Sequence, residues 1–289
     1  MLGSIEAGGT KINCAVGHQD GTIVKQIQIA TTTPDENVAQ IVAFFQEHPV
    51  EAIGIGCFGP VNVDKESADY GSLLDTPKQQ WRFYPFLATL KQQLAIPIEL
   101  HSDVTVSGLG EVHLGGGKGD NFVLYVTIGT GIGGGVILND QLLRSPRHPE
   151  MGHVTMQRVE GDQLVSVCPF HDNCFEGLAS GPAIEKRWGK KGSELPPDHP
   201  AWEMEADYIA QGLLQMIVVL APDRVIIGGG VMKQQQLLSR IREKVQEKLN
   251  GYTYYDRLEN MEQLIITPVL GDDAGLIGGL LLADYANNM

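Results

Sequence analysis

Positive charge is what this sequence has least of: 21 Lys and Arg stand against 35 Asp and Glu, a formal net charge of −14. That balance works against nucleic acid or an anionic membrane as partner, because both require a basic surface. An anionic ligand must then be held by local donors or by a metal. Cysteine is also scarce, with four in 289 residues, too few for a disulfide scaffold at this length. No basic leader or apolar signal core follows Met1, and the longest apolar run, near Leu213 to Ala221, is too short to span a bilayer. A cytoplasmic setting is the expectation. No Gly-x-x-x-x-Gly-Lys-Ser/Thr loop occurs either, which excludes a P-loop nucleotide site. With 43% apolar and 19% charged residues, the chain reads as globular, with room for two domains of common size.

Glycine, by contrast, is plentiful and clustered. Tyr125 to Val136 reads as a short apolar strand running into Gly129-Thr130-Gly131-Ile132-Gly133-Gly134. Such a loop lets backbone N–H groups approach an anion and take positive φ, and a threonine hydroxyl adds a donor. An offset of 120 residues superimposes this stretch on the start of the chain, matching Gly9 with Gly129, Thr10 with Thr130, Ile12 with Ile132, Val16 with Val136 and Asp20 with Asp140. The match points to two related phosphate hairpins. The second loop also fits Gly-x-Gly-x-x-Gly, the dinucleotide fingerprint, with Glu150 near the position of its ribose carboxylate. That motif must open a helix, whereas here Asn139-Asp140 separates two short apolar runs, so a hairpin is expected.

The first half reads as three short strands (Leu2 to Glu6, Lys11 to Val16, Thr22 to Ile29) divided by glycine turns, then a helix after Pro34 and a buried strand from Ala52 to Cys57. Phe58-Gly59-Pro60 breaks that strand, and Asp64 to Gln80 reads as a long loop with a turn at Asp75-Thr76-Pro77-Lys78. A short strand, Ile98 to Leu100, then leads to His101-Ser102-Asp103 and a helix to about Leu114. Two readings of Ser102 and Asp103 stand side by side. Either residue can cap the helix, and a carboxylate at the carboxyl end of a strand, beside a helix N-terminus, stands where α/β sheets bind ligands.

In the second half, Cys168-Pro-Phe-His171-Asp-Asn-Cys174, with His153 upstream, offers two thiols and two imidazoles. They read as two buried thiols with two surface histidines, or as a closed tetrahedral zinc site whose role is to staple a loop. Folding that loop around a metal would bring Glu150 and Glu176 together, and paired carboxylates suit sugar hydroxyls. Ser180 and Pro182 open a helix, Trp202 to Leu220 is a long apolar helix, and Arg224 to Ile227 gives a strand followed by Gly228-Gly229-Gly230. A strand from Leu264 to Thr267 comes next. Asp272-Asp273 stands before a last helix, whose Gly275, Gly279 and Ala283 present one narrow face.

Together Glu6-Ala-Gly-Gly-Thr-Lys11, Gly56-Cys-Phe-Gly-Pro60, Asp75-Thr-Pro-Lys78, Thr127 to Gly135, Glu150-x-x-His153, the Cys/His loop and Gly271 to Gly278 resemble the ROK family of sugar kinases. Glu6 and the Cys-Phe-Gly-Pro run point to its bacterial fructokinase branch. The resemblance implies the α/β actin-like ATPase and hexokinase (ribonuclease H-like) fold, two α/β domains with a cleft between them. It divides the chain into 1–114 with 272–289, and 115–271. It implies an ATP-dependent hexose kinase with Mg²⁺ and a structural Zn²⁺, cytoplasmic and homodimeric, acting on fructose first and on mannose or glucose next. Asp103 would be the general base; Glu150, His153, Glu176, Ser102, Gly59 and Pro60 would border the sugar. Gly9, Thr10, Lys11, Gly129, Thr130, Gly131, Pro182, Gly229, Gly230, Val231, Met232 and Lys233 would border ATP. His153, Cys168, His171 and Cys174 would hold the zinc. Ser102 stands where the family usually has asparagine, and His171 where it has a third cysteine. The family also contains sugar-responsive repressors, but their DNA-binding domain is not expected here, since the first glycine motif starts within ten residues of Met1.

Overall fold

The structure is a computed structural model that describes residues 1–143, 145 and 147–287. Arg144, Pro146, Asn288 and Met289 lie outside them. The chain forms two compact units, Met1–Asn121 with Gly135–Pro149 and Val269–Met289, and Phe122–Gly134 with Glu150–Pro268. The first unit takes in 115–121 and 135–149 as well as 1–114, because Gly135 packs its bare Cα against Thr105: a Cβ there would stand 2.6 Å from Thr105 Cα.

The first unit is built on β1 (Leu2–Ala7), β2 (Lys11–Gly17), β3 (Ile23–Ala30), α1 (Pro34–Glu47), β4 (Ile53–Cys57), α2 (Phe86–Leu94), β5 (Ile98–Ser102) and α3 (Asp103–Leu114). Its sheet runs β3-β2-β1-β4-β5, with β1–β2 and β2–β3 antiparallel and β1–β4 and β4–β5 parallel. Antiparallel neighbours need only a turn, which Gly8-Gly9 and Asp20-Gly21 supply; the parallel ones need the crossover helices α1 and α2. Helix α1 starts where Thr33 accepts the Glu36 N–H and Pro34 presets φ, and it buries Val38, Ile41, Val42 and Phe45 at helical spacing.

The second sheet runs β10-β9-β6-β7-β8 over β6 (Phe122–Ile128), β7 (Ile132–Leu138), β8 (Gln141–Leu142), β9 (Arg224–Gly228) and β10 (Ile265–Ile266). Asn139 and Asp140 both take positive φ, +51° and +61°, the turn geometry that joins two antiparallel strands. No helix opens after the glycine loop, so the dinucleotide reading is excluded. Helices α4 (Phe175–Ala179), α5 (Gly181–Trp188), α6 (Ala201–Leu220), α7 (Leu237–Leu249) and α8 (Met261–Leu264) complete this unit. The strand expected over Leu264 to Thr267 is only two residues long. Asn260 caps α8, and the Leu264 N–H is spent on the Asn260 carbonyl, so Leu264 ends the helix and does not start the strand.

The last helix, α9 (Ala274–Asn287), belongs to the first unit. It lies so close to α3 and β4 that a Cβ on Gly278 would stand 1.8 Å from the Val106 carbonyl oxygen, and one on Gly54 2.1 Å from the Gly279 oxygen. Backbone packs on backbone there, which only glycine permits. Among the described residues no helix is long and apolar enough to cross a membrane.

Candidate functional site

In the first unit the parallel strands β1, β4 and β5 end level with one another: Ala7 pairs with Cys57, and Cys57 with Ser102. The groups next to those ends are therefore gathered along one edge. Glu6 stands at the end of β1, Gly59-Pro60 (a cis peptide) beyond β4, and Asp103 at the first position of α3. Burial is the main cause that raises the Asp103 pKa to about 7; the negative charge of Glu6 adds to it, while the Val104 N–H, donating to Oδ1 at 2.8 Å, opposes it. Glu6 is itself raised, chiefly by burial, against the pull of Asn13 Nδ2, which donates to it at 2.7 Å. A carboxyl with its pKa near neutral pH is balanced between holding and releasing a proton, the state a general base needs.

Ser102 takes the N-cap position of α3 without capping it. Its hydroxyl is buried and pairs with Thr105 Oγ1 at 2.8 Å, so the first-turn N–H goes to Asp103 instead. Asp103 thus combines capping with a desolvated carboxyl.

Each glycine hairpin is closed by one backbone bond, with a span one residue shorter in the second. Gly8 N–H donates to the Lys11 carbonyl at 2.9 Å, and Gly129 N–H donates to the Gly131 carbonyl at 2.9 Å. Thr10 and Thr130 stand exposed at the tips. None of Gly8, Gly9, Gly129 or Gly131 has positive φ. The expectation of left-handed glycines is corrected here: the missing Cβ leaves room for close approach, and handedness plays no part. The first turn is braced by Thr31, whose N–H donates to the Thr10 carbonyl at 3.0 Å and whose hydroxyl donates to the Gly8 carbonyl at 2.7 Å. Sequence reading missed Thr31, because nothing in Ala-Thr-Thr-Thr-Pro marks one threonine over another.

In the second unit the hairpin borders a cavity of about 530 Å³ lined by Gly129, Thr130, Gly181, Pro182, Gly230 and Val231. The N-terminus of α5 is held to the hairpin directly, since Gly181 N–H donates to the Gly129 carbonyl at 2.7 Å. Gly229 has φ +92°, and a Cβ on it would meet Ile128 backbone atoms at 2.4–2.7 Å, so glycine is required at that turn. Met232 is buried behind the turn and Lys233 is exposed. The far wall consists of Ile184, Glu185, Lys191, Ser193, Trp202 and Gln234, which no motif marked. Trp202 read as a core residue, and it is fully buried, with its indole N–H donating to the Pro196 carbonyl. Only the folding of 189–200 onto α6 makes one of its edges a cavity wall.

His153, Cys168, His171 and Cys174 converge, with all four ligand atoms within 4.8 Å of one another. Cys168 Sγ lies 3.5 Å from His171 Nδ1 and 3.9 Å from His153 Nδ1, and Cys174 Sγ lies 3.6 Å from His153 Nδ1. A tetrahedron with Zn–S and Zn–N bonds of about 2.0–2.3 Å has edges of roughly 3.3–3.8 Å, so the donor set fits a closed metal site. Cys174 caps α4, and the next turn carries Glu176, whose Oε2 accepts the Ile132 N–H at 2.9 Å. The loop of the His/Cys cluster and the second hairpin are thereby joined through one carboxylate. Glu150 is raised by burial first and also by the charge of Glu176, while His153 lowers it; the two glutamates therefore share one neighbourhood.

The sequence model of the ROK family matches residues 2–286. A Bacillus subtilis (strain 168) relative is 49% identical over 287 residues, 99% of this chain and 96% of its own. The fructokinase of Pediococcus pentosaceus is 44% identical over 286 residues, 99% of this chain and 98% of its own. Among solved structures, a ROK family glucokinase from Streptomyces griseus in complex with glucose and AMPPNP matches with a TM-score of 0.77 at 27% identity, covering 98% of this chain and 99% of that one.

Proposed function

The chain belongs to the ROK family, and on that premise we propose that it is an ATP-dependent fructokinase, transferring the terminal phosphoryl group of Mg-ATP to the 6-hydroxyl of D-fructose. The single observation that carries the chemistry is the Asp103 carboxyl, raised to about 7 at the carboxyl end of a parallel strand. It accepts the hydroxyl proton as the sugar oxygen bonds to the terminal phosphorus and the bond to ADP breaks. Phosphoryl transfer asks the protein mainly to position the reactants and offset their charge. The hairpin residues Gly9, Thr10, Lys11, Gly129, Thr130 and Gly131 border the phosphates. Pro182, Gly230 and Val231 border the rest of the nucleotide in the 530 Å³ cavity, with Gly229, Met232 and Lys233 at its turn.

Glu150, His153 and Glu176 hold sugar hydroxyls, and Ser102, Gly59 and Pro60 border the sugar. The Cys2His2 cluster holds zinc, a structural ion that pins the loop between His153 and Cys174. The choice of fructose over other hexoses rests on the Pediococcus relative, and the glucose-bound Streptomyces griseus neighbour makes glucose the second reading, with mannose beside it. The family resemblance supports a cytoplasmic setting and a homodimer. Initial rates with Mg-ATP across fructose, mannose and glucose test the assignment. The highest kcat/KM is expected for fructose, and no turnover with any hexose would overturn it.

A further inference from the structure

The geometry points to Lys78 as a second catalytic group of the first unit, a cation that contacts the terminal phosphate of the nucleotide and the phosphoryl group in flight. This rests on the kinase reading above. The Lys78 Cε lies 3.8 Å from where a Cβ on Gly9 would stand, so the side chain lies along the open side of the first glycine hairpin. Among the described residues it has no carboxylate partner, whereas Lys65, nearer the start of the same loop, pairs with Glu99 at 2.6 Å.

The backbone under Lys78 is held in place. Its carbonyl accepts the Trp81 N–H at 2.8 Å, and its N–H donates to Thr76 Oγ1, whose hydroxyl in turn donates to the Gly59 carbonyl. Trp81 is fully buried against Phe58, Tyr84 and Phe86 at centroid separations of 5.4–5.8 Å, and its indole N–H donates to the Thr32 carbonyl. Thr32 is next to Thr31, which braces the Gly8-Gly9-Thr10 turn. The hairpin is therefore fastened to Thr31 and the lysine loop to its neighbour Thr32, which ties the position of Lys78 to that of Gly9.

The charge balance gives this lysine its role. The edge beside the hairpin holds Glu6 and Asp103, and Asp272 and Asp273 raise the Glu6 pKa further. Lys11, on the hairpin itself, pulls the other way and lowers the Glu6 pKa, but it is one cation against four carboxyls, so a polyphosphate at that edge gains from a second facing cation. In the transfer Lys78 keeps its proton. The sugar oxygen bonds to phosphorus, the bond to ADP breaks, the hydroxyl proton goes to Asp103, and Lys78 offsets the charge on the equatorial oxygens.

The test uses the full chain with Lys78→Met, Lys78→Gln and Lys78→Arg. Binding of Mg-ATP and of adenosine is measured by calorimetry, and kcat and KM with fructose by coupled assay. Lys78→Met and Lys78→Gln are expected to lose about 10²–10³-fold in kcat/KM for ATP and to bind Mg-ATP more weakly. Their adenosine affinity and melting temperature should match wild type, and Lys78→Arg should recover most of the rate. Kinetics and Mg-ATP affinity within threefold of wild type in Lys78→Met would overturn the assignment while leaving the kinase reading intact. If wild type turns over no hexose, the kinase reading fails by itself, and the Mg-ATP against adenosine comparison still decides whether Lys78 holds phosphate.

Discussion

The first sheet runs β3-β2-β1-β4-β5 and the second β8-β7-β6-β9-β10, so each strand of one has a counterpart in the other. In both, an antiparallel hairpin with a Gly-Thr tip leads off, and parallel strands lie on the other side. The two sheets differ in the load at the carboxyl ends. The first unit places carboxyls there, Glu6 and Asp103, and continues β5 into a twelve-residue helix. The second has a β10 of two residues, with a glycine turn, a cavity and the His/Cys cluster around its hairpin. On the proposed function, proton chemistry would belong to the first unit and nucleotide binding to the second. The division lies in the loops and helix starts attached to the strand ends and not in the strands themselves.

Asp103→Asn attacks this contrast most directly. Turnover should fall by roughly 10²–10⁴-fold, while Mg-ATP affinity, read by calorimetry, should stay close to wild type. Retained turnover would remove the base assignment. In wild type, kcat/KM should fall on the acid side with an apparent pKa near the value of about 7 held by Asp103. Stability should move the opposite way to activity. Folding raises the Asp103 pKa, so the folded state binds more protons between the unfolded value near 3.9 and about 7, and stability declines as pH rises through that window. Asp103→Asn cannot ionise, and should melt a few degrees above wild type at pH 8.

Zinc removal probes the other unit. Elemental content near one zinc per chain is expected. Chelation or Cys168→Ser should lower the melting temperature by roughly 10 °C, taking about 3–5 kcal/mol of loop stabilisation and 2–4 °C per kcal/mol. A melting curve indifferent to chelator, or less than about half a zinc per chain, counts against the site.

Two glycines give the smallest and sharpest contrast. Gly278→Ala drives a methyl into the Val106 carbonyl and should cost about 1–3 kcal/mol in denaturant unfolding. Gly230 has nothing within 4 Å of a would-be Cβ. Gly230→Ala should therefore leave stability within about 0.5 kcal/mol of wild type and raise KM for ATP, because the methyl enters the cavity. Equal unfolding costs for the two substitutions would erase the distinction between a glycine kept for packing and one kept for a ligand.

Much of this was legible in the sequence. The 120-residue offset between Gly9-Thr10 and Gly129-Thr130 gave the paired hairpins, and Asn139-Asp140 between apolar runs excluded the dinucleotide motif. The Cys-x-x-His-x-x-Cys spacing with His153 picked out four donors that converge, and the Gly275, Gly279 and Ala283 face announced a closely packed last helix. Other features were not legible. Leu264 was assigned to a strand because apolar runs of that length do not distinguish a strand from a helix end. Thr31, Trp202 and Gln234 carry no local mark of their roles. Lys78 was visible within Asp-Thr-Pro-Lys, but its place over Gly9 depends on Trp81 being buried three residues later.

By itself the sequence determined which chemical groups the protein owns and, apart from ends such as Leu264, most of its strands, turns and helices, because periodicity and turn chemistry act over a few residues. Only the tertiary structure decided that Asp103 has a pKa near 7, that four ligands spread over 22 residues meet within 4.8 Å, and that Lys78 lies against the first hairpin. Desolvation and through-space proximity depend on how the rest of the chain packs around a group, and no local pattern encodes that.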